Sequence, residues 1–325
     1  MKNIIQIFLF LIINTAFVAV YAQTPIKVIL DTDIDSDVDD VGALAMLHTL
    51  ADHEAVDILG IIVTSDDKYA PLCTDAINHY FKRPDIPIGV EKGIPLREFS
   101  KYTKEISEEY EHSLKSYADA EDATNLYRRL LSAQPDSSVV IITIGHLTNL
   151  SNLLQSNPDE YSSLSGIDLI KKKVKLWSCM GGMYPEGKEA NFYRPDPKST
   201  RISVENWPGQ VVFAGWEIGN KIITGGEYLR KTLSPESPVW RAYKLYNNFK
   251  GRASWDQASI LYAISNSNDY WDLQEEGQVE VAEDGSNKWL PGENPNQAYL
   301  VEKMDPNEVA KIIDALMTGL YSPDF

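Results

Sequence analysis

The stretch Lys27–Leu47, KVILDTDIDSDVDDVGALAML, leaves little freedom in what this chain can fold into. A short apolar run, Val28 to Leu30, leads into six aspartates within ten residues: Asp31, Asp33, Asp35, Asp37, Asp39 and Asp40. An apolar segment with helical spacing follows, through Val41, Leu44, Ala45 and Leu47. Strand, acidic loop and helix in that order is how an open α/β sheet builds its ligand-binding edge. Carboxylates crowded at the end of a buried strand repel one another unless a cation or tightly held protons sit among them. The alternative is a solvated acidic loop, the usual fate of a charge run. The place of this run, at a strand-to-helix junction, speaks for a metal or catalytic site instead.

The first residues read as separate from the fold. Ile4 to Val20 is almost wholly apolar, and Val20-Tyr21-Ala22 supplies small residues before a cleavage point. That pattern predicts a secretory signal peptide, residues 1–22, cut after Ala22, and one mature domain over 23–325. Export would end in the periplasm or outside the cell. A retained membrane anchor is the alternative; no cysteine follows the apolar run to carry a lipid. The net charge of −17 argues against nucleic-acid backbones and anionic membrane surfaces as partners and favours cations. Cys73 and Cys179, far apart in sequence, read as buried thiols rather than a disulfide framework. No CxxC pair, histidine cluster or GxxxxGK[ST] phosphate loop is present.

Apolar runs and helical segments alternate along most of the chain. Strands are predicted at Val28–Leu30, Ile58–Val63, Ile86–Val90, Val139–Ile144, Val174–Cys179 and Val211–Ala214, with helical patterns between them. A strand pair is expected at Gln278–Val281 and Ala298–Val301, and a closing helix from Pro306 to Leu320. Strands separated by helices imply right-handed parallel crossovers: an α/β fold, with an open, mostly parallel sheet and helices on both faces. The C-terminal strand ends then share one edge. Besides the aspartate run, that edge collects Thr64-Ser65-Asp66-Asp67, Gly145-His146-Leu147-Thr148-Asn149 and Met180-Gly181-Gly182-Met183-Tyr184. Each alone is ordinary loop chemistry, such as a capping Thr148 or a Gly-Gly turn; together they outline a pocket rim.

These residues resemble a known family. DTD, an Asp-Asp pair and an Ala/Leu-rich helix look like the N-terminal signature of the inosine-uridine preferring nucleoside hydrolases. Pro87-Ile88-Gly89-Val90, Gly93-Ile94-Pro95-Leu96, Gly145–Asn149, Met180-Gly181-Gly182, Glu189-Ala190-Asn191-Phe192 and Trp255-Asp256 follow in family order. The resemblance implies a nucleoside-hydrolase-like fold and hydrolysis of a ribosyl N-glycosidic bond, with one bound calcium. It places Asp33, Asp40, the Ile144 carbonyl and Asp256 on the ion, which takes six to eight oxygen ligands. It makes Asp33 the general base that deprotonates the attacking water. Asp39, Asp67, Glu189 and Asn191 resemble groups that grip the ribose hydroxyls and favour an oxocarbenium-like transition state. The implied partner is a small nucleoside-like molecule, in purine or pyrimidine salvage; a homo-oligomer is compatible with the chain.

Two departures stand out. Five residues, Ile34 to Val38, separate Asp33 from the Asp-Asp pair where three are common, so either Asp37 or Asp39 could take the sugar-binding role. Asp35, where glycine is common, reads as a solvated loop tip. Trp255 stands where a histidine often precedes the last calcium ligand; its face can stack on a base, but it has no titratable proton to give. Tyr184, Tyr193, Tyr246 and Phe249 are further candidates for a base pocket, or else core. On residues alone, Asp256 reads as a helix N-cap and His146 as structural.

Other classes compete. Val28–Asp33 also resembles haloacid-dehalogenase-like phosphatases, in which the first Asp is the nucleophile. That family wants Thr or Val where Asp35 stands, and a later acidic pair after a glycine that this chain lacks. An EF-hand loop from Asp31 would need glycine where Ser36 stands and glutamate where Gly42 stands. A non-catalytic, calcium-containing nucleoside- or ribose-binding protein would keep the same metal and pocket.

Overall fold

The structure, a computed structural model, describes residues 24–265 and 269–320. The expected signal peptide lies outside the described residues. Nine strands form the main sheet: β1 (Ile26–Thr32), β2 (Val56–Val63), β3 (Ile88–Val90), β4 (Glu121–Asp122), β5 (Val139–Thr143), β6 (Val174–Met180), β7 (Val211–Ala214), β8 (Trp271–Gln274) and β9 (Gln297–Glu302). Their spatial order is β8-β9-β7-β6-β5-β1-β2-β3-β4. Every neighbouring pair is parallel except β8–β9.

Strand period sends alternate side chains to opposite faces. Val28 and Leu30 join Val140 and Ile142 in one core, while Ile29 joins Ile141, Trp177 and Phe213 in the other. Burial on both faces is what unbroken apolar strands require, and helices cover each side. The first core holds α1 (Asp39–Asp52), α2 (Trp255–Ile264) and α3 (Pro306–Met317) packed together. From Asp39 to Leu50 every residue of α1 is buried, as suits a helix that is apolar nearly all round. Gly42 permits that packing, because a Cβ there would lie 2.4 Å from the side chains of Gln257 and Tyr243.

The strands β1 to β3 and β5 to β7 fall where the apolar runs predict them. The C-terminal pairing does not. Gly277–Val281 pairs with Asn287–Pro291 rather than with the segment around Ala298, and Glu186–Gly187 adds a third strand. A partner five residues away closes a hairpin at small entropic cost, and Gly285, at φ +79°, makes the turn. β9 is thereby released to extend the main sheet, Ala298 beside Val212. Cys73 and Cys179 are buried and unbridged. Among the described residues no helix is long and apolar enough to cross a membrane.

Candidate active site

The acidic loop leaves β1 at the C-terminal edge of the sheet and is anchored from below. Asp31, 1% exposed, accepts hydrogen bonds from Thr64 Oγ1 and, at 2.8 Å, from Tyr127 Oη. Asn149 Nδ2 donates to Thr64 Oγ1 at 2.8 Å, so residues from three elements tie the strand end down. Burial outweighs these bonds and pushes the Asp31 carboxyl up to about 7. Asp33, next along the loop, faces the cavity. The Gly145 backbone lies so close to it that a Cβ on Gly145 would sit 2.7 Å from both Asp33 N and Asp33 Cβ.

The loop then turns into α1, whose N-terminus meets that of α2. Asp39, Asp40 and Asp256 each offer a carboxylate oxygen, and the three oxygens lie within 4.8 Å of one another. Asp256 is the second residue of α2 and makes no capping bond; the N-cap position belongs to Ser254. Backbone amides of Asp39 and Asp256 bond the Asp39 carboxylate, and Thr32 Oγ1 donates to Asp40. The two helix N-termini favour negative charge here, yet burial and mutual repulsion win. Asp33, Asp40 and Asp256 are all driven well above the ordinary carboxylate range, and Asp39 to about 7. A cation among these oxygens would relieve that cost.

The cluster floors a cavity of about 840 Å³ that also takes in Ile144, Glu189, Asn191 and Trp255. Nine of the ten site residues expected from sequence therefore line one space. Glu189 accepts from Asn191 N at 2.8 Å and Gly182 N at 3.0 Å, and its burial pushes it up to about 7. Asn191 Nδ2 in turn donates to the Ile144 carbonyl at 3.1 Å. Asp37 reaches the cavity but is committed to Tyr246 Oη at 2.5 Å and Arg252 Nη2 at 2.6 Å. Asp39 is the member of that pair whose carboxylate lies beside those of Asp40 and Asp256.

Asp67 is the exception. It is fully buried, does not line the cavity, and accepts from Tyr69 N, Phe99 N, Ser100 N and Thr103 Oγ1. Three of its four bonds hold the 97–103 loop and the fourth takes the Tyr69 amide, so no oxygen is left for a sugar. Asp35 also differs from expectation: it is 7% exposed and bonded to Ser65 Oγ at 2.6 Å, while Ser36 is the exposed tip. None of Tyr184, Tyr193, Tyr246 and Phe249 lines the cavity; Tyr184 stacks on Tyr299 at 4.6 Å instead. The aromatic wall is Phe99, Trp216 and Trp255. His146 also lines it, with Nδ1 3.0 Å from Thr148 Oγ1. Trp216 and Glu91 follow β7 and β3, so strand-end reasoning applied to every strand would have found them. Arg252 carried no such signal.

The three-carboxylate cluster fits a hard divalent ion: its donors are all carboxylate oxygens, with no thiol or imidazole among them. Sheet edge, acidic cluster and aromatic-walled cavity together form a small-molecule site of the kind hydrolases use. The chain matches the model of the inosine-uridine preferring nucleoside hydrolases over residues 28–311, and it belongs to that family. It is thus an enzyme of the class that cleaves N-glycosidic bonds. That membership sets the phosphatase resemblance aside.

Solved structures share the fold at low identity. A plant nucleoside hydrolase is 19% identical, with a TM-score of 0.68, the match covering 90% of this chain and 99% of the other. An inosine-uridine preferring nucleoside hydrolase from Bacillus anthracis is 15% identical, TM-score 0.66, over 91% and 100%. An inosine-guanosine nucleoside hydrolase is 18% identical, TM-score 0.66, over 90% and 98%. No curated protein matches the sequence.

Proposed function

We propose that this enzyme is an exported, calcium-dependent hydrolase of ribonucleosides or related N-ribosides, releasing ribose and base. The observation that carries the reading is the meeting of Asp33, Asp39, Asp40 and Asp256 with Glu189 and Asn191 in one cavity. Asp33, Asp40, Asp256 and the Ile144 carbonyl would hold the ion, with Asp39 completing the acidic floor. When bound, the ion supplies fixed positive charge and Lewis acidity among the carboxylates. Asp33 accepts the proton of the attacking water, its orientation set by the Gly145 backbone. Asp39, Glu189 and Asn191 bind the ribose hydroxyls and stabilise the oxocarbenium-like transition state. Trp255 presents its ring to the base. Residues 1–22 act as the export signal, and residues 23–325 form the mature enzyme.

A nucleoside panel assayed for free ribose with calcium present tests this directly. Ribose release is expected; its absence from every nucleoside would favour a non-catalytic binding protein. Asp33→Asn should lose at least about 100-fold in kcat with an unchanged circular dichroism spectrum. Near-normal turnover would remove Asp33 as the base.

A further inference from the structure

Departure of the base has chemical needs of its own. A neutral base leaves C1′ as an anion unless a proton reaches it. Trp255 has no titratable proton, and its Nε1–H already donates to the Trp216 carbonyl at 3.0 Å. The His146 ring is engaged with Thr148 Oγ1 and with the Thr64 carbonyl, which leaves no ring N–H pointed at a substrate. The Arg252 guanidinium lies 4.7 Å over the Trp255 ring, but its charge is spent on Asp37 at 2.6 Å. Arg97 is likewise held by Asp66, at 2.5 and 2.8 Å, and both oxygens of Glu189, the cavity carboxyl raised to about 7, are taken up by the amides of Asn191 and Gly182.

The charge of the cavity points the same way. Ten carboxyl side chains line it against three guanidiniums, and two of those three are paired. Burial holds protons on several of these carboxyls, and a bound ion would replace those protons rather than add to them, so the wall stays poor in positive charge and favours cationic ligands. Trp216, 37% exposed at this wall, presents an aromatic surface of the kind that holds cationic rings.

Resting on the hydrolase reading, we propose that the preferred substrates are ribosides of quaternised heteroaromatic bases, in which the glycosidic nitrogen already carries a positive charge. The C1′–N bond breaks with its electron pair moving to that nitrogen, which becomes a neutral heterocycle. The water oxygen bonds to C1′ and its proton goes to Asp33 and then to solvent. Cation and water give ribose, neutral base and one proton, with no acid needed at the leaving group.

The test compares kcat/KM of the calcium-loaded wild-type enzyme for three probes. 1-(β-D-Ribofuranosyl)nicotinamide carries the fixed charge, inosine and uridine need protonation, and p-nitrophenyl β-D-ribofuranoside is neutral but needs no acid. General acid catalysis is worth about 100- to 10,000-fold, so the pyridinium riboside should exceed inosine and uridine by at least about 100-fold. Comparable kcat/KM for inosine or uridine overturns the proposal, because some group must then protonate the base. Cleavage of the nitrophenyl riboside without preference for the pyridinium riboside overturns it while leaving the hydrolase reading intact. Failure on all probes overturns both. As a second arm, Trp255→His places a proton donor at the start of α2 and should shift the inosine-to-pyridinium ratio toward inosine by about tenfold or more. An unchanged ratio in a folded variant, with a flat pH profile for inosine, would count against the missing-acid argument.

Discussion

Gly145→Ala probes how tightly the proposed base is held. The added Cβ would lie 2.7 Å from Asp33 N, 2.7 Å from Asp33 Cβ and 2.8 Å from its Cγ. Two of these three atoms cannot swing away by rotating a side-chain bond, so the loop itself has to move. Opening the contact to the 3.4 Å where ordinary van der Waals contact begins displaces Asp33 or Gly145 by about 0.7 Å, and misplacements near 1 Å cost on the order of 100-fold in rate. Overpacking of this kind costs about 1–3 kcal/mol of stability, which a chain of this size registers as a fall in melting temperature of about 2–4 °C per kcal/mol. The variant should therefore fold, melt several degrees lower, and lose about 100-fold in kcat with a smaller change in KM. Gly292→Ala, where nothing lies within 4 Å of the added Cβ, is the matched control and should be silent in both assays. A Gly145→Ala enzyme with kcat within twofold of wild type would refute the claim that Asp33 must sit where it does.

Three further outcomes follow from the same geometry. Calcium should raise the melting temperature and EGTA lower it, by about 2.7 kcal/mol of stability at a hundredfold excess over Kd; identical melting with and without the ion would dismiss the carboxylate cluster as its site. Asp67→Ala strands three backbone amides and the Thr103 hydroxyl, so it should cost at least about 2 kcal/mol in denaturant unfolding, and an undiminished midpoint would contradict its structural role. Asp314, bonded to Gly225 N at 2.9 Å, is pushed by burial from 3.8 to about 6. A raised folded-state value means its stabilising contribution is complete below pH 3.8 and is lost as pH rises through 6. Wild type should therefore lose up to about 3 kcal/mol relative to Asp314→Asn between pH 4 and pH 7, and parallel stability curves for the two proteins would reject the assignment.

How far the sequence could be read depended on whether a residue's role is local. The apolar strands and the buried helix after the aspartates carry their period in the residues themselves, so β1, β2 and α1 fall where expected. The strand-end rule likewise located the Gly145–Asn149 loop and the loop after β6, because parallel topology alone puts them on one edge, whereas Ile144 came from the family resemblance. Roles decided by long-range partners were hidden. Asp67 looks like any polar strand-end residue until the amides of Phe99 and Ser100 close on it. Asp35 looked solvated because nothing in the loop announces that Ser65 lies beneath it. Asp37 and Asp39 are equivalent on paper; only Tyr246 and Arg252, some two hundred residues later, divert the first of them. The C-terminal strands misled for another reason: two apolar alternating segments suggested a pair, but the nearer partner at Asn287–Pro291 won.

The convergence of α1 and α2 also bears on how the site comes into being. Asp40 and Asp256 are more than two hundred residues apart in the chain, and the Asp39 carboxylate takes an amide from Asp256 itself. No ribosome-bound fragment ending before α2 can own this site, however well its first strands have paired. The same is true of any proteolytic product that loses the C-terminal quarter. Any ion this cluster holds would therefore be captured only after α2 has been made and has packed against α1.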